Sequence, residues 1–231
     1  SKFAKKHNIP VTSTVMGIGC MTKDDPYYIS AVGALGEGSS NSLSKDTDLA
    51  LAIGTKLADF TTGSWANFEN PNFKLVSVNT ARYDTTKHLA TPVISDAKVG
   101  LQKISEARGD WKAPDDWYKR AIKEKNEWDA YVEKQSGPTN QEEPSYAHAV
   151  GAVYRNSDPS DIVVTAAGGL VGEVVQVWKP KQLNTFETEW GFSCMGYEIS
   201  GALGIKMAKP DQDVVVFVGD GSYLLNNTDI Y

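Results

Sequence analysis

The stretch DVVVFVGDGS, Asp213 to Ser222, runs five apolar residues, Val214 to Val218, straight into Gly-Asp-Gly-Ser. A continuous apolar run rich in valine reads as a strand buried on both faces, and the glycines that follow read as a turn into a helix. Such a turn leaves free backbone N–H groups, and the positive end of a helix dipole, at the carboxyl edge of a parallel sheet, where α/β proteins bind ligands. Asp220 between the two glycines adds a hard oxygen. A carboxylate is unsuited to direct phosphate contact and suited to a divalent cation that bridges to phosphate, so the group points to a magnesium diphosphate. Taken alone, the same residues also describe a tight turn with Asp220 as helix N-cap.

Outward from this stretch the pattern repeats. DIVVTAAGG, Asp161 to Gly169, is a second strand ending in two glycines, and SGALGIKMAK, Ser200 to Lys209, is a helix of small residues between them. Two glycine turns at one sheet edge suit the two ends of an extended cofactor, although Gly168 and Gly169 alone read as turn punctuation. SYAHAVGAVYRN, from Ser145, carries apolar residues at helical spacing.

Upstream, short β-rich runs (IPVTSTV, DLALAIG, KLVSVN, TPVISD) alternate with helical ones (NSLSKDT, AKVGLQKISEA) between Asn8 and Gly109. Crossovers of that length predict a parallel sheet covered by helices, a Rossmann-like α/β layer with strands buried on both faces. Val99, Leu101, Ile104 and Ala107 form a rough apolar stripe, with Gly109 at the expected helix stop. DWYKRAIKEKNEWDAYVEKQ, from Asp116, is strongly charged, yet Trp117, Ala121, Trp128 and Tyr131 recur at helical intervals and predict a surface helix with one aromatic face that lies against a domain. SGPTNQEEP, Ser136 to Pro144, has the composition of a connector. The expected organisation is a central α/β domain over 1–109, a helix and linker over 110–144, and the first part of a second α/β domain over 145–231.

Composition narrows the function classes. Of 231 residues, 41% are hydrophobic and 23% charged, as in ordinary globular proteins, and no apolar run approaches the ~18 residues of a membrane span. A net charge of −6 argues against nucleic acid as partner. Cys20 and Cys194 show neither zinc-ligand spacing nor a disulfide framework, which fits a reducing, cytoplasmic setting. His7, His88 and His148 are dispersed and read as structural, Glu187 and Glu189 as solvated, Glu198 as either solvated or functional, and Trp65 as loop packing or pocket lining.

The stretch GFSCMGYEISGALGIKMAKPDQDVVVFVGDGSYLL, from Gly191 to Leu225, resembles the cofactor domain of thiamine-diphosphate-dependent enzymes, in which a Met-Gly loop, a small-residue helix and a strand ending in Gly-Asp-Gly follow in this order. The upstream half resembles the central, Rossmann-like domain of the same superfamily. TTGSWANF, WGFSCMGYE and VNTARYDTTKHLATPVISDAKVGL carry a narrower likeness to the ring-opening cyclic-dione hydrolases of myo-inositol breakdown; acetolactate synthase-like carboligases and 2-oxo acid decarboxylases share the general frame. The resemblance implies that Asp220 ligates Mg2+ and that Gly219, Gly221 and Ser222 line the diphosphate of thiamine diphosphate. It implies that Gly168 and Gly169 form the other diphosphate-side turn. Met195 would wedge between the two cofactor rings, and the Ser193 carbonyl would accept from the cofactor's amino group, holding it beside the carbon it deprotonates. It further implies an activating glutamate in a preceding domain, further metal ligands beyond Tyr231, a site shared in a homodimer or homotetramer, and hence a chain that is an internal portion of a longer enzyme, inactive and weak in cofactor binding by itself. A non-catalytic α/β binding or scaffold module is the reading from another class.

Overall fold

A computed structural model describes residues 1–230. Helix α1, Lys2–His7, stops at Asn8, whose backbone is left-handed. His7 beneath it is buried, with Nδ1 2.7 Å from the Trp111 carbonyl and Nε2 2.8 Å from Ser105 Oγ. A carbonyl only accepts, so Nδ1 carries the proton and Nε2 accepts from the serine: a structural histidine, as the sequence predicts. Strand β1, Val11–Ser13, pairs in parallel with β2, Tyr28–Ala31, and all four residues of β2 are buried.

The chain then runs through α2 (Gly38–Asp46), β3 (Leu49–Ile53), α3 (Asp59–Thr62), β4 (Lys74–Asn79), α4 (Arg82–Thr86), β5 (Thr91–Ile94) and α5 (Ala97–Arg108). Strands β3, β4 and β5 form a parallel sheet in that order, in register from Leu49↔Lys74 to Ile53↔Val78 and from Val76↔Thr91 to Asn79↔Ile94. Asp96 caps α5 by accepting from the N–H groups of Lys98 and Val99, and Gly109 ends it with φ 57°.

The α/β class and the parallel direction are as expected; continuity and burial are not. Strands β1 and β2 form a separate two-stranded sheet, and Leu49, Ile53 and Ile94 are exposed rather than buried on both faces. The reason is the placement of the helices, with α4 on β4 and β5, α5 on β4, and β3 packed mainly against β4. The apolar stripe of α5 is only half covered, with Leu101 and Ile104 partly buried and Ala107 exposed. Val99 is exposed, and the helix approaches the sheet at buried Gly100, where a Cβ would lie 2.6 Å from Val78 Cγ1.

Helix α6, Asp115–Ser136, is more than a surface helix. Ala121 is buried with Ile29 and Leu43, and Val132 joins the main core with Trp128 packed on it, while Tyr131 is exposed. Helix α7, Tyr146–Asn156, opens with a capping box in which Ser145 and His148 satisfy each other's backbone N–H. It is followed by β6 (Ile162–Thr165), α8 (Gly169–Val177), β7 (Phe186–Thr188), α9 (Tyr197–Ala208), β8 (Val214–Val216) and α10 (Asp220–Asn226). The sheet order is β7-β6-β8, all parallel, with β6 buried along its whole length.

One core cluster joins Val15, Ile18 and Ala31 from the first half to Val163, Val171, Val174, Trp178 and Phe186 from the second. Each fully buried valine there contributes about 1.5–3 kcal/mol relative to exposure. Polar contacts reinforce this seam. Glu37 at the start of α2 pairs with Lys179, and Gln176 Nε2 donates to the carbonyls of Leu35 and Gly36, both at 3.1 Å. Burial pushes the Glu37 carboxyl above the usual carboxylate range, with Lys179 opposing the shift.

Candidate functional site

Because β6 pairs with β8 in parallel, Ile162↔Val214 to Val164↔Val216, both strands end at the same sheet edge, and both glycine turns leave from it. Beyond β6 the backbone reaches Gly168 at φ 82°, a conformation that favours glycine, and α8 starts at Gly169. Beyond β8 the chain extends to Gly219, the N-cap of α10, and Asp220 is that helix's first residue. Asp220 is therefore not itself the cap; Gly219 is.

Met195 and Gly196 lie between the two turns, at the entry to α9, which packs on both β6 and β8. Met195 is 51% exposed and so is not part of the core. It reaches α10, since a Cβ placed on Gly221 would stand 3.0 Å from its Cε. Ser193 occupies the left-handed region at φ 53°, unusual for a residue with a Cβ, and its Oγ lies 3.5 Å from the Ala166 carbonyl at the end of β6. Met195, Gly221 and the β6 turn are thus gathered together, as the motif order predicts.

The donor chemistry of this edge can be tested against a magnesium diphosphate. A Cβ added at Gly168, Gly169 or Gly219 would meet nothing within 4 Å, so all three backbones face open space where an anion can approach closely. The first N–H groups of a helix have no intrahelical acceptor, which leaves those of Gly221 and Ser222 available at α10. Asp220 is exposed, Ser222 is buried, and Thr165 Oγ1, at the end of β6, is buried without a partner. The arrangement fits the group. Among the described residues no cluster of three or more His, Cys, Asp or Glu surrounds Asp220, so it offers a single carboxylate to a cation that must be completed by phosphate and other ligands.

Two acids have structural roles that the sequence reading missed. Glu189, expected to be solvated, accepts from the N–H groups of Phe192 at 2.9 Å and Cys194 at 2.8 Å, folding the 189–194 loop around its carboxylate. Those bonds hold its carboxyl below the usual range. Glu198 is fully buried and accepts from Ala167 and Gly196. The Glu-x-x-Phe spacing before the Met-Gly loop is a signal for the first; nothing local announces the second. Glu187 is exposed and accepts from Tyr197 OH. Trp65 packs against Phe68, Phe73 and His88. Cys194 is a free, exposed thiol.

Residues 1–104 match the thiamine pyrophosphate enzyme central domain, and residues 166–231 match the thiamine pyrophosphate enzyme C-terminal TPP binding domain. With both domains in family order, the chain belongs to the thiamine pyrophosphate enzymes. Within that family it is similar to proteins named 3D-(3,5/4)-trihydroxycyclohexane-1,2-dione hydrolase. The one from Geobacillus thermodenitrificans is 33% identical over 99% of this chain and 39% of the relative, and the one from Clostridium tetani is 34% identical with the same coverage. That of Lacticaseibacillus casei is 31% identical, again over 99% of this chain and 39% of the relative. The chain therefore spans about 39% of the length of the curated relatives it matches.

Proposed function

We propose that this chain is the central and cofactor-binding portion of a thiamine-diphosphate- and Mg2+-dependent hydrolase that opens a cyclic 1,2-dione, trihydroxycyclohexanedione, in myo-inositol degradation. The observation that carries the reading is the convergence of two open-faced glycine turns and the Met195 loop on one sheet edge, in a chain similar over nearly all its length to hydrolases of that name. Its parts are a central domain over 1–109, a helix and linker over 110–144, and a cofactor domain from 145.

When bound, thiamine diphosphate supplies a nucleophilic carbon and an electron sink for C–C cleavage. The residues of this chain hold and orient it. Asp220 ligates Mg2+, and Gly219 with the backbone N–H groups of Gly221 and Ser222 receives the diphosphate. Gly168 and Gly169 line the other side of the same group. Met195, half exposed and braced against Gly221, would pack against the cofactor's rings, and the Ser193 carbonyl would serve as an acceptor that orients its amino group. The substrate is a small cyclic dione. The protein acts as a cytoplasmic homodimer or homotetramer on a small-molecule substrate, and its net charge of −6 argues against a nucleic-acid partner; among the described residues no helix is long and apolar enough to cross a membrane.

The test is an assay of the whole protein carrying this sequence, with Mg2+ and thiamine diphosphate, offering the cyclic dione and pyruvate side by side. Hydrolysis of the dione is expected, with loss of at least about 100-fold in activity for Asp220→Ala. Turnover of pyruvate alone would replace this reading with a carboligase or decarboxylase, and failure to bind thiamine diphosphate would replace it with a scaffold module.

A further inference from the structure

Glu198 lies in the first turn of α9, wholly buried, and no Lys, Arg or His among the described residues forms an ion pair with it. Burying a carboxylate without a cation is costly unless charge-assisted hydrogen bonds satisfy it. Here each oxygen has one. Oε1 accepts from the Ala167 N–H at 3.1 Å and Oε2 from the Gly196 N–H at 3.0 Å. Its place at a helix N-terminus adds a favourable dipole.

The two donors belong to different loops. Ala167 immediately precedes Gly168, and Gly196 immediately follows Met195; both glycines have positive φ, 82° and 95°. An apolar residue at position 198 would fill the space but leave two buried N–H groups unsatisfied, with nothing to fix the spacing between the loops. Gly196 is also gripped from the other side, where Asn226 Nδ2 of α10 donates to its carbonyl at 3.1 Å. The apex of the Met195 loop is therefore clamped at its N–H by Glu198 and at its C=O by Asn226.

We propose that Glu198 is a positioning residue, whose carboxylate sets the spacing between the diphosphate-side turn at Gly168–Gly169 and the ring-side loop at Ser193–Met195. The proposal rests on the cofactor reading above. It acts through two backbones, and its worth follows from how steeply binding and proton transfer depend on geometry, a misplacement of about 1 Å costing on the order of 100-fold. Glu198→Gln preserves the shape but keeps only one acceptor, turning an amide donor toward one of the two N–H groups.

The experiment uses the whole protein carrying this sequence and reads thiamine diphosphate affinity by calorimetry in the presence of Mg2+, together with amide hydrogen exchange in the absence of cofactor. Glu198→Gln is expected to weaken cofactor binding by roughly 10- to 100-fold and to speed exchange at Ala167 and Gly196 while Val163 stays protected. Asn226→Ala, which removes only the opposite clamp, is expected to weaken binding and to alter Gly196 without altering Ala167; it keeps the test open if Glu198→Gln does not fold. Parental affinity and exchange in both variants would overturn the proposal, as would faster exchange spread evenly along β6, the mark of a merely structural acid. Asp220→Ala separates the two levels of the argument. If it abolishes binding while Glu198→Gln keeps the parental affinity, positioning alone fails; if it too binds as the parent does, the cofactor reading fails.

Discussion

The sheets β3-β4-β5 and β7-β6-β8 have the same number of strands and the same parallel pairing, yet they differ in almost everything else. In the second, β6 is buried at all four positions, its Val163 shares one core cluster with residues of α7 and α8, and α9 packs on it. In the first, only β4 is well buried, and Leu49, Ile53 and Ile94 face solvent. The lesson concerns what supports a site. The sheet edge that presents the glycine turns is the one whose central strand is fully buried, the kind of support that preorganised binding requires.

The sharpest way to break this comparison is to truncate an aliphatic side chain in each sheet. Val163→Ala in β6 is expected to cost about 2–3 kcal/mol, because it leaves a cavity in close-packed surroundings, whereas Leu49→Ala in β3 should cost less than about 1 kcal/mol. Urea unfolding of the two variants measures the difference, and equal losses would mean the sheets are equally supported. A glycine pair comes next. Gly100→Ala drives a Cβ to 2.6 Å from Val78 Cγ1 and should destabilise by about 1–3 kcal/mol through overpacking. Gly169→Ala meets nothing within 4 Å, so the thermal midpoint should hold while affinity for thiamine diphosphate falls.

The seam between the two halves gives a pH signature. Folding raises the Glu37 carboxyl, so over the interval between its ordinary and raised pKa the folded state binds more protons than the unfolded one. Stability contributed there falls as pH rises through that interval, and Glu37→Gln should flatten the curve of unfolding midpoint against pH. Glu189 has the opposite sign. Its lowered carboxyl contributes stability above the ordinary carboxylate pKa that is lost as pH falls through the lowered value, so Glu189→Gln should flatten only the acid side. A profile unchanged in shape would show that neither carboxylate governs it. The smallest effect is expected on the outer face of α6, where Lys123→Ala removes an exposed pair with Glu127 and should alter stability by less than about 0.5 kcal/mol.

Periodicity along the chain announced most of the elements. The runs KLVSVN and TPVISD are strands, α5 begins at Asp96 and stops at Gly109, and the small-residue helix α9 lies between two glycine turns. Strand β2 was silent because YISA is too short, and too interrupted by polar Ser30, to show a period; its Ser30 is satisfied by Ser40. In α6 the face of Trp117, Ala121 and Trp128 was legible from its spacing, whereas Val132, outnumbered by solvated neighbours, gave no sign of its place in the main core.

The sequence by itself determined the α/β class, the family, and the identity of the candidate cofactor residues, because glycine turns, capping residues and motif order are local properties of a chain. Only the tertiary structure decided which sheet is the more deeply buried, how the halves share a core, and that Glu198 bridges two loops. Those are matters of burial and of pairing between distant residues. A carboxylate next to a helix start looks alike in sequence whether it meets water or two backbone N–H groups, and the energetic difference appears only when the chain closes around it.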